Sequence, residues 1–258
     1  MRVLVKGQST VVWTSMMGGP RSDLVFARVM EQELLARGRA VEVRNTGEPA
    51  LPTRAYFKTW NQDIAAWSPD IVILHVGHYE AVHPILPRWL ERGANTVSRR
   101  SGRLRHLYYR RLLRGVARGV IIVQRAIDRP SIRLKRRMHR VVADTAAYIK
   151  QTQQVGNPLI LLLEVNSPSG KTRDWFPGLT TRLQTLNADL RSLAGASGLK
   201  DVRFVEVTDL MDKFTPNDPE HLWADGSHYS PAFHRAVGEK FATIADEWAR
   251  SQSHLAQP

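Results

Sequence analysis

The chain has 258 residues, 37 Lys and Arg against 24 Asp and Glu, a formal net charge of +13, 43% hydrophobic residues and no cysteine. That length and apolar content suit one α/β domain with a single well-buried core, and the missing cysteines exclude disulfides, thiolate metal sites and a cysteine nucleophile. The longest apolar stretches, 119–123 and 159–163, fall far short of the roughly 20 residues that a bilayer-spanning helix needs, and no charged leader or cleavage site precedes residue 3. The expectation is a cytoplasmic protein, with peripheral contact to a membrane left open.

In chain order, apolar runs predict strands over 3–6, 40–44, 70–76, 159–165 and 202–207. Between them, apolar residues at steps of three and four predict helices over 23–36, 56–66, 82–91, 180–194 and 231–250. Repeated strand–helix units imply a doubly wound, mostly parallel five-stranded sheet of the flavodoxin-like kind, whose ligands sit beyond the carboxyl ends of the strands. We read 1–250 as one domain, 97–154 as a helical insert within it and 251–258 as a loose tail.

The charge is concentrated in the insert. Residues 99–140 hold 15 of the 37 basic residues and one acid, Asp128, while the remainder has 22 basic and 23 acidic residues. Leu104, Tyr108, Leu112, Val116, Val120, Val123 and Ile127 recur at helical spacing with arginines between them. Arg129-Pro130-Ser131 breaks that helix, and a second follows with Leu134, Met138, Val141, Val142, Thr145 and Ile149 on one face. The two are expected to form a hairpin that caps the domain. The cap is either a solvated element whose stripe packs on the fold or a device for anions, with Arg110, Arg111, Arg114 and Arg118 as the residues that hold them. The candidate anions are a membrane surface and an acyl substrate bearing negative charge. Nucleic acid is disfavoured, because aromatic stacking residues are limited to Tyr108 and Tyr109.

The chemistry lies at the two ends of the chain. Ser9 follows the first strand next to Gly7, where the chain must turn and project a hydroxyl. Asp225 and His228 stand three apart before the last helix, so that the carboxylate can orient one imidazole nitrogen while the other takes the serine proton. The plainer reading makes Asp225-Gly226-Ser227 a turn, with Ser230 capping the helix that Pro231 opens. The order Ser, Asp, His also occurs in α/β-hydrolases, but there the serine sits in Gly-x-Ser-x-Gly after a central strand.

These blocks resemble those of the SGNH (GDSL-type) hydrolase superfamily. That family has Gly-Asp-Ser after the first strand, a glycine after the second, Gly-x-Asn-Asp after the third and Asp-x-x-His before the last helix. The matching residues here are Gly7-Gln8-Ser9, Gly47, Gly77-His78-Tyr79-Glu80 and Asp225-Gly226-Ser227-His228, and Leu186-Asn187 also has the family look. The resemblance implies a Ser9/Asp225/His228 triad acting on an ester or thioester, with the Ser9 and Gly47 N–H groups facing the oxyanion and no cofactor. Two positions depart from the pattern. Gln8 replaces an aspartate that organises the loop, and Tyr79 replaces the asparagine that donates to the oxyanion. Losing one such donor costs about 10²- to 10³-fold in turnover unless something replaces it, and the Tyr79 hydroxyl or His78 is the expected substitute. A second reading keeps the scaffold and gives up catalysis, leaving a protein that binds an anionic partner. The histidines at 75, 78 and 83 and those at 221 and 228 have ligand-like spacing. Strand alternation sends His75 and His78 to opposite faces, however, so no metal site is expected.

Overall fold

The computed structural model describes residues 1–15, 19–20, 25–48, 52–87, 114–128, 136–211 and 226–252. Strands β1 (Arg2–Gly7), β4 (Glu42–Asn45), β5 (Ile71–His75), β6 (Leu159–Leu163) and β7 (Val202–Val205) pair in parallel in the order β4-β1-β5-β6-β7. A separate hairpin joins β2 (Trp13–Ser15) to β3 (Gly19–Pro20). All five expected strands form, and every residue of β5 and β6 is buried, as in a sheet covered on both faces.

Because side chains alternate along a strand, the sheet feeds two cores. Val3, Val5, Ile71, Ile73, Leu159 and Leu161 pack with α1 (Phe26–Ala36) and α9 (Pro231–Ser251) on one face. Leu4, Val72, Leu74, Ile160 and Leu162 pack on the other with α5 (Arg136–Gln153) and α7 (Leu179–Ala194). The chain passes from β1 to β4 through α1 on the first face, then reaches β5 through 53–65, whose Ile64 lies in the second core. The covering side therefore changes between β1 and β5, and the carboxyl ends of those two strands flank the crevice where such sheets bind ligands.

Two expected helices are corrected. The segment read as one helix over 56–66 is broken into α2 (Thr53–Tyr56), a 3₁₀ turn (Phe57–Thr59) and a π turn (Asn61–Ala65). The helix expected over 82–91 does not form over 83–87; the helical turn lies earlier, as α3 (His78–Val82), because Gly77 at φ +87° turns the chain out of β5. Residues 88–91 lie outside the described residues. Of the two insert helices, α4 (Arg114–Ile127) and α5 are described, and the connection 129–135 is not. The helix α5 is a covering layer of the sheet, with Met138, Val141, Tyr148 and Ile149 buried in the second core. Two short helices, α6 (Gly170–Trp175) and α8 (Thr208–Met211), were not expected. Among the described residues no helix is long and apolar enough to cross a membrane.

Helices α1 and α9 pack in close contact. A Cβ on Gly238 would stand 2.6 Å from Val29 Cβ and 2.8 Å from the Phe26 carbonyl oxygen, so these backbones meet without room for a methyl group. Gly238→Ala is expected to destabilise the protein by about 1–3 kcal/mol through overpacking, read as a lower urea midpoint. An unchanged midpoint would show that the helix pair yields freely.

Candidate active site

Ser9 opens a single 3₁₀ turn, Ser9–Val11, directly beyond β1, with Gln8 extended before it. The turn is closed by N–H donation from Val11 to the Gln8 carbonyl at 3.1 Å and from Val12 to the Ser9 carbonyl at 3.0 Å. Close approach between strands fixes its height, since a Cβ on Gly7 would lie 2.7 Å from Val11 Cγ1 and 3.0 Å from His75 Cβ. From the far end of the sequence, the imidazole Nε2 of His228 reaches Ser9 Oγ at 2.8 Å, a contact that spans 219 positions. His228 is buried and Ser9 half-buried.

The loop that delivers His228 is held from both sides. Gly226 adopts φ +69°, and a Cβ there would lie 1.8 Å from the Ser169 carbonyl oxygen, so only glycine fits. Ser169 donates its N–H to the Gly226 carbonyl at 3.0 Å. The strand end that leads to Ser169 is clamped in turn: Asn187 accepts from the Val165 N–H at 3.0 Å and donates to its carbonyl at 2.9 Å. After His228, Tyr229 is fully buried against Phe233 and His234, and Ser230 Oγ accepts from the Phe233 N–H at 3.2 Å as the α9 cap, with Pro231 in the first turn. Ser230 thus caps α9 while His228, two residues before it, contacts Ser9. Asp225, like His221, lies outside the described residues.

Gln8 is the bridge between the first and third blocks. Its Oε1 accepts the Tyr79 N–H at 2.7 Å and its Nε2 donates to Glu80 Oε2 at 2.9 Å. Glu80 Oε1 accepts the Thr53 N–H at 2.6 Å, and Thr53 Oγ1 accepts the Gly77 N–H at 3.2 Å. A neutral amide can accept from one neighbour and donate to a carboxylate at the same time, which an aspartate beside Glu80 could not do without a shared proton. The Tyr79 ring packs edge-on against His83, centroids 4.9 Å apart. Gly47 presses on the Ser9 turn, where a Cβ would lie 2.2 Å from Val11 Cγ2. Its N–H donates to Asn45 Oδ1 at 3.0 Å, while Asn45 Nδ2 donates to the Val11 carbonyl at 2.6 Å.

His75 and His78 do not point to opposite faces. The strand ends at His75 and the left-handed turn at Gly77 brings the rings edge to face, centroids 6.3 Å apart, both buried. Among the described residues no group of three or more His, Asp or Glu side chains is placed to hold a metal ion. Burial pushes the His75 imidazole down to about 3, and His78, His228 and His234 act in the same direction.

The insert touches this edge of the sheet through residues that the sequence pattern did not single out. Gln124 Nε2 of α4 donates to the Val82 carbonyl at 2.6 Å, and Asp128, just past α4, accepts from Arg182 of α7 at 2.5 and 3.0 Å. Arg182 also donates to the Ala81 carbonyl at 2.7 Å. Asp128 and Arg182 are both buried. Their signals were present as the single acid in a basic run and an arginine within an apolar helical stripe. Arg118 is exposed on α4 and Arg114 begins it, whereas Arg110 and Arg111 lie outside the described residues.

No protein-family model and no curated protein matches the chain. Solved structures do. A lipase/acylhydrolase from Enterococcus faecalis is similar over 95% of both chains, at 18% identity and a TM-score of 0.59. A catalytic mutant of the acetylxylan esterase Axe2 from Geobacillus stearothermophilus is similar over 94% of this chain and 92% of its own, at 15% identity and a TM-score of 0.57. The chain has the SGNH-hydrolase fold. The esterase EstA from Pseudoalteromonas is similar too, over 96% and 97% of the two chains, at 9% identity and a TM-score of 0.54. On this SGNH scaffold, Ser9 and the Gly77–Glu80 block lie at the carboxyl ends of β1 and β5, and Gln8 joins them.

With His75 excluded from protonation in the folded state but free to titrate near 6.5 when unfolded, the unfolded chain binds more protons as pH falls from 6.5 towards 3, so this site's stability is present above that window and lost within it. Between pH 7 and pH 5 the loss amounts to about 2 kcal/mol. His75→Asn is expected to shrink the decline in unfolding free energy over that interval by that amount. An undiminished decline would mean that native His75 takes up a proton.

Proposed function

We propose that this chain is a serine-dependent ester or thioester hydrolase, or an acyltransferase, in which Ser9 is the nucleophile and His228 its general base. The observation that carries this reading is the 2.8 Å contact between Ser9 Oγ and His228 Nε2 at the crevice of an SGNH-type sheet. A serine hydroxyl is a poor nucleophile near neutral pH unless a base takes its proton in the transition state. In the tautomer with its proton on Nδ1, His228 accepts that proton as Ser9 Oγ bonds to the acyl carbon. The tetrahedral intermediate then expels the alcohol or thiol, which leaves with the proton from His228. Water or an acceptor hydroxyl attacks the acyl-serine by the same route, and Ser9 is restored. We assign Asp225 the task of orienting the imidazole through Nδ1.

The oxyanion is assigned to the Ser9 N–H, the Gly47 N–H and the Tyr79 side chain, with His78 beside it. Gly47 meets the oxyanion by releasing Asn45 Oδ1, its partner in the free site. Tyr79 contributes through its hydroxyl, because its backbone N–H is already held by Gln8. The arginines of the insert supply a positive field that draws acyl substrates carrying negative charge towards the edge of the sheet.

Hydrolysis of p-nitrophenyl and thioester substrates, with and without alcohol acceptors, tests the assignment. Ser9→Ala is expected to abolish turnover, and His228→Ala to lower kcat/KM by about 10²- to 10⁴-fold. Turnover that survives Ser9→Ala would overturn the reading. Tyr79→Phe is expected to lower kcat by about 10²- to 10³-fold with little change in KM; full activity in that variant would remove Tyr79 from the oxyanion site while leaving Ser9 in place.

A further inference from the structure

The helix α4 is amphipathic in an unexpected sense. The residues that meet the domain are Ile121, Gln124 and Asp128, which follow one another at steps of three and four on a single face. The stripe expected to pack on the fold is turned outward: Val116, Val123 and Ile127 are 45%, 57% and 40% exposed, and Ile122 is 64% exposed. The arc between them carries only Gly115, Gly119 and Ala126, all exposed and none polar. Four large aliphatic side chains on one face of one helix are more than the scattered exposure that ordinary surfaces show.

Charge says what covers this face. Along one edge run exposed Arg118 and Arg125, and Arg125 lies over the ring of Trp175, 4.2 Å from its centroid, with Trp175 half-exposed at the rim. The single acid of the segment 99–140 is paired with Arg182 of α7, so the sequence of that segment holds no further acid to balance its 15 basic residues. An aliphatic strip with an arginine edge and a tryptophan at its border matches the surface of a bilayer, which offers hydrocarbon below a layer of phosphate. A protein partner would find little on this arc to hydrogen-bond, and a nucleic acid would find no stack of aromatic rings.

We propose that α4 is a docking helix for an anionic membrane surface, its aliphatic face entering the headgroup layer and its arginines meeting lipid phosphates. Since α4 is bonded through Gln124 to Val82 at the end of α3, and α3 carries the Tyr79 that Gln8 holds beside Ser9, docking presents the nucleophile edge to the bilayer. Resting on the ester-hydrolase reading, this names the substrate class as acyl esters or thioesters held in or at that membrane.

The test separates docking from catalysis. The full chain carrying Ser9→Ala is mixed with phosphatidylcholine vesicles with and without phosphatidylglycerol and floated on a density gradient. Binding is expected to the anionic vesicles only, to fall as salt is raised, and to drop about tenfold or more when Val116, Ile122, Val123 and Ile127 are all replaced by serine. Because the chain has no cysteine, Ile122→Cys takes an environment-sensitive fluorophore at one place, and its emission is expected to shift blue and brighten on the anionic vesicles. No flotation, flotation unaffected by the serine variant, or a label whose emission does not change would each overturn the proposal. A label already blue before vesicles are added would also overturn it, by showing that the chain covers this face itself. Hydrolysis of a short water-soluble ester by the Ser9 protein is read separately, so loss of docking and loss of the catalytic reading are distinct results.

Discussion

The hydrogen-bond contact between Ser9 and His228 joins the first strand to the loop before the last helix, and the parallel sheet is what makes it possible. β1 lies second in the sheet, between β4 and β5, so Ser9 emerges at the carboxyl edge beside the crevice that β1 and β5 flank. Gly7 flush against His75 sets its depth, and Gly47 flush against Val11 sets its flank. On the opposite side, Asn187 clamps the end of β6, the following loop meets Gly226, and the left-handed turn there throws His228 over Ser9. Removing a Cβ at three points is what allows these backbones to come together.

The altered blocks make physical sense as a set. Gln8 ties the serine turn to Tyr79 and Glu80, and Glu80 ties both to Thr53. A buried carboxylate with two donors is satisfied, whereas a second carboxylate in the place of Gln8 would face it with a like charge. Farther out, the buried Arg182–Asp128 pair and Gln124 anchor α4 by polar contacts rather than by its aliphatic stripe. Beneath β1, Lys6 is fully buried, paired with Asp63 and hydrogen-bonded to Thr59 at 2.9 Å, so a charged network also supports the start of the Gly47 loop through Thr46.

Much of this was legible in the sequence. Runs such as Leu-Ile-Leu-Leu-Leu at 159–163 have no plausible place except a strand buried on both sides, and the Gly-x-Ser and Asp-x-x-His blocks marked Ser9 and His228, which the fold brings to 2.8 Å, while Asp225 lies outside the described residues. Periodicity failed where it gives an incomplete answer. In α4 it located an apolar stripe but not the face that packs on the domain, because the packing side is held by Gln124 and Asp128, which a hydrophobic pattern scores as outward. At His75 and His78, alternation was extended three residues past the end of β5 at His75, beyond the left-handed turn at Gly77. The role of Gln8 was invisible, since its two partners lie more than 70 positions away.

The account stands on the reactivity of one hydroxyl. Incubation of the native chain with a fluorophosphonate, followed by peptide mapping, is predicted to place a single covalent adduct on the peptide that contains Ser9, with labelling greatly slowed in His228→Ala. Folded protein that resists the reagent, or carries the adduct on another residue, would contradict it.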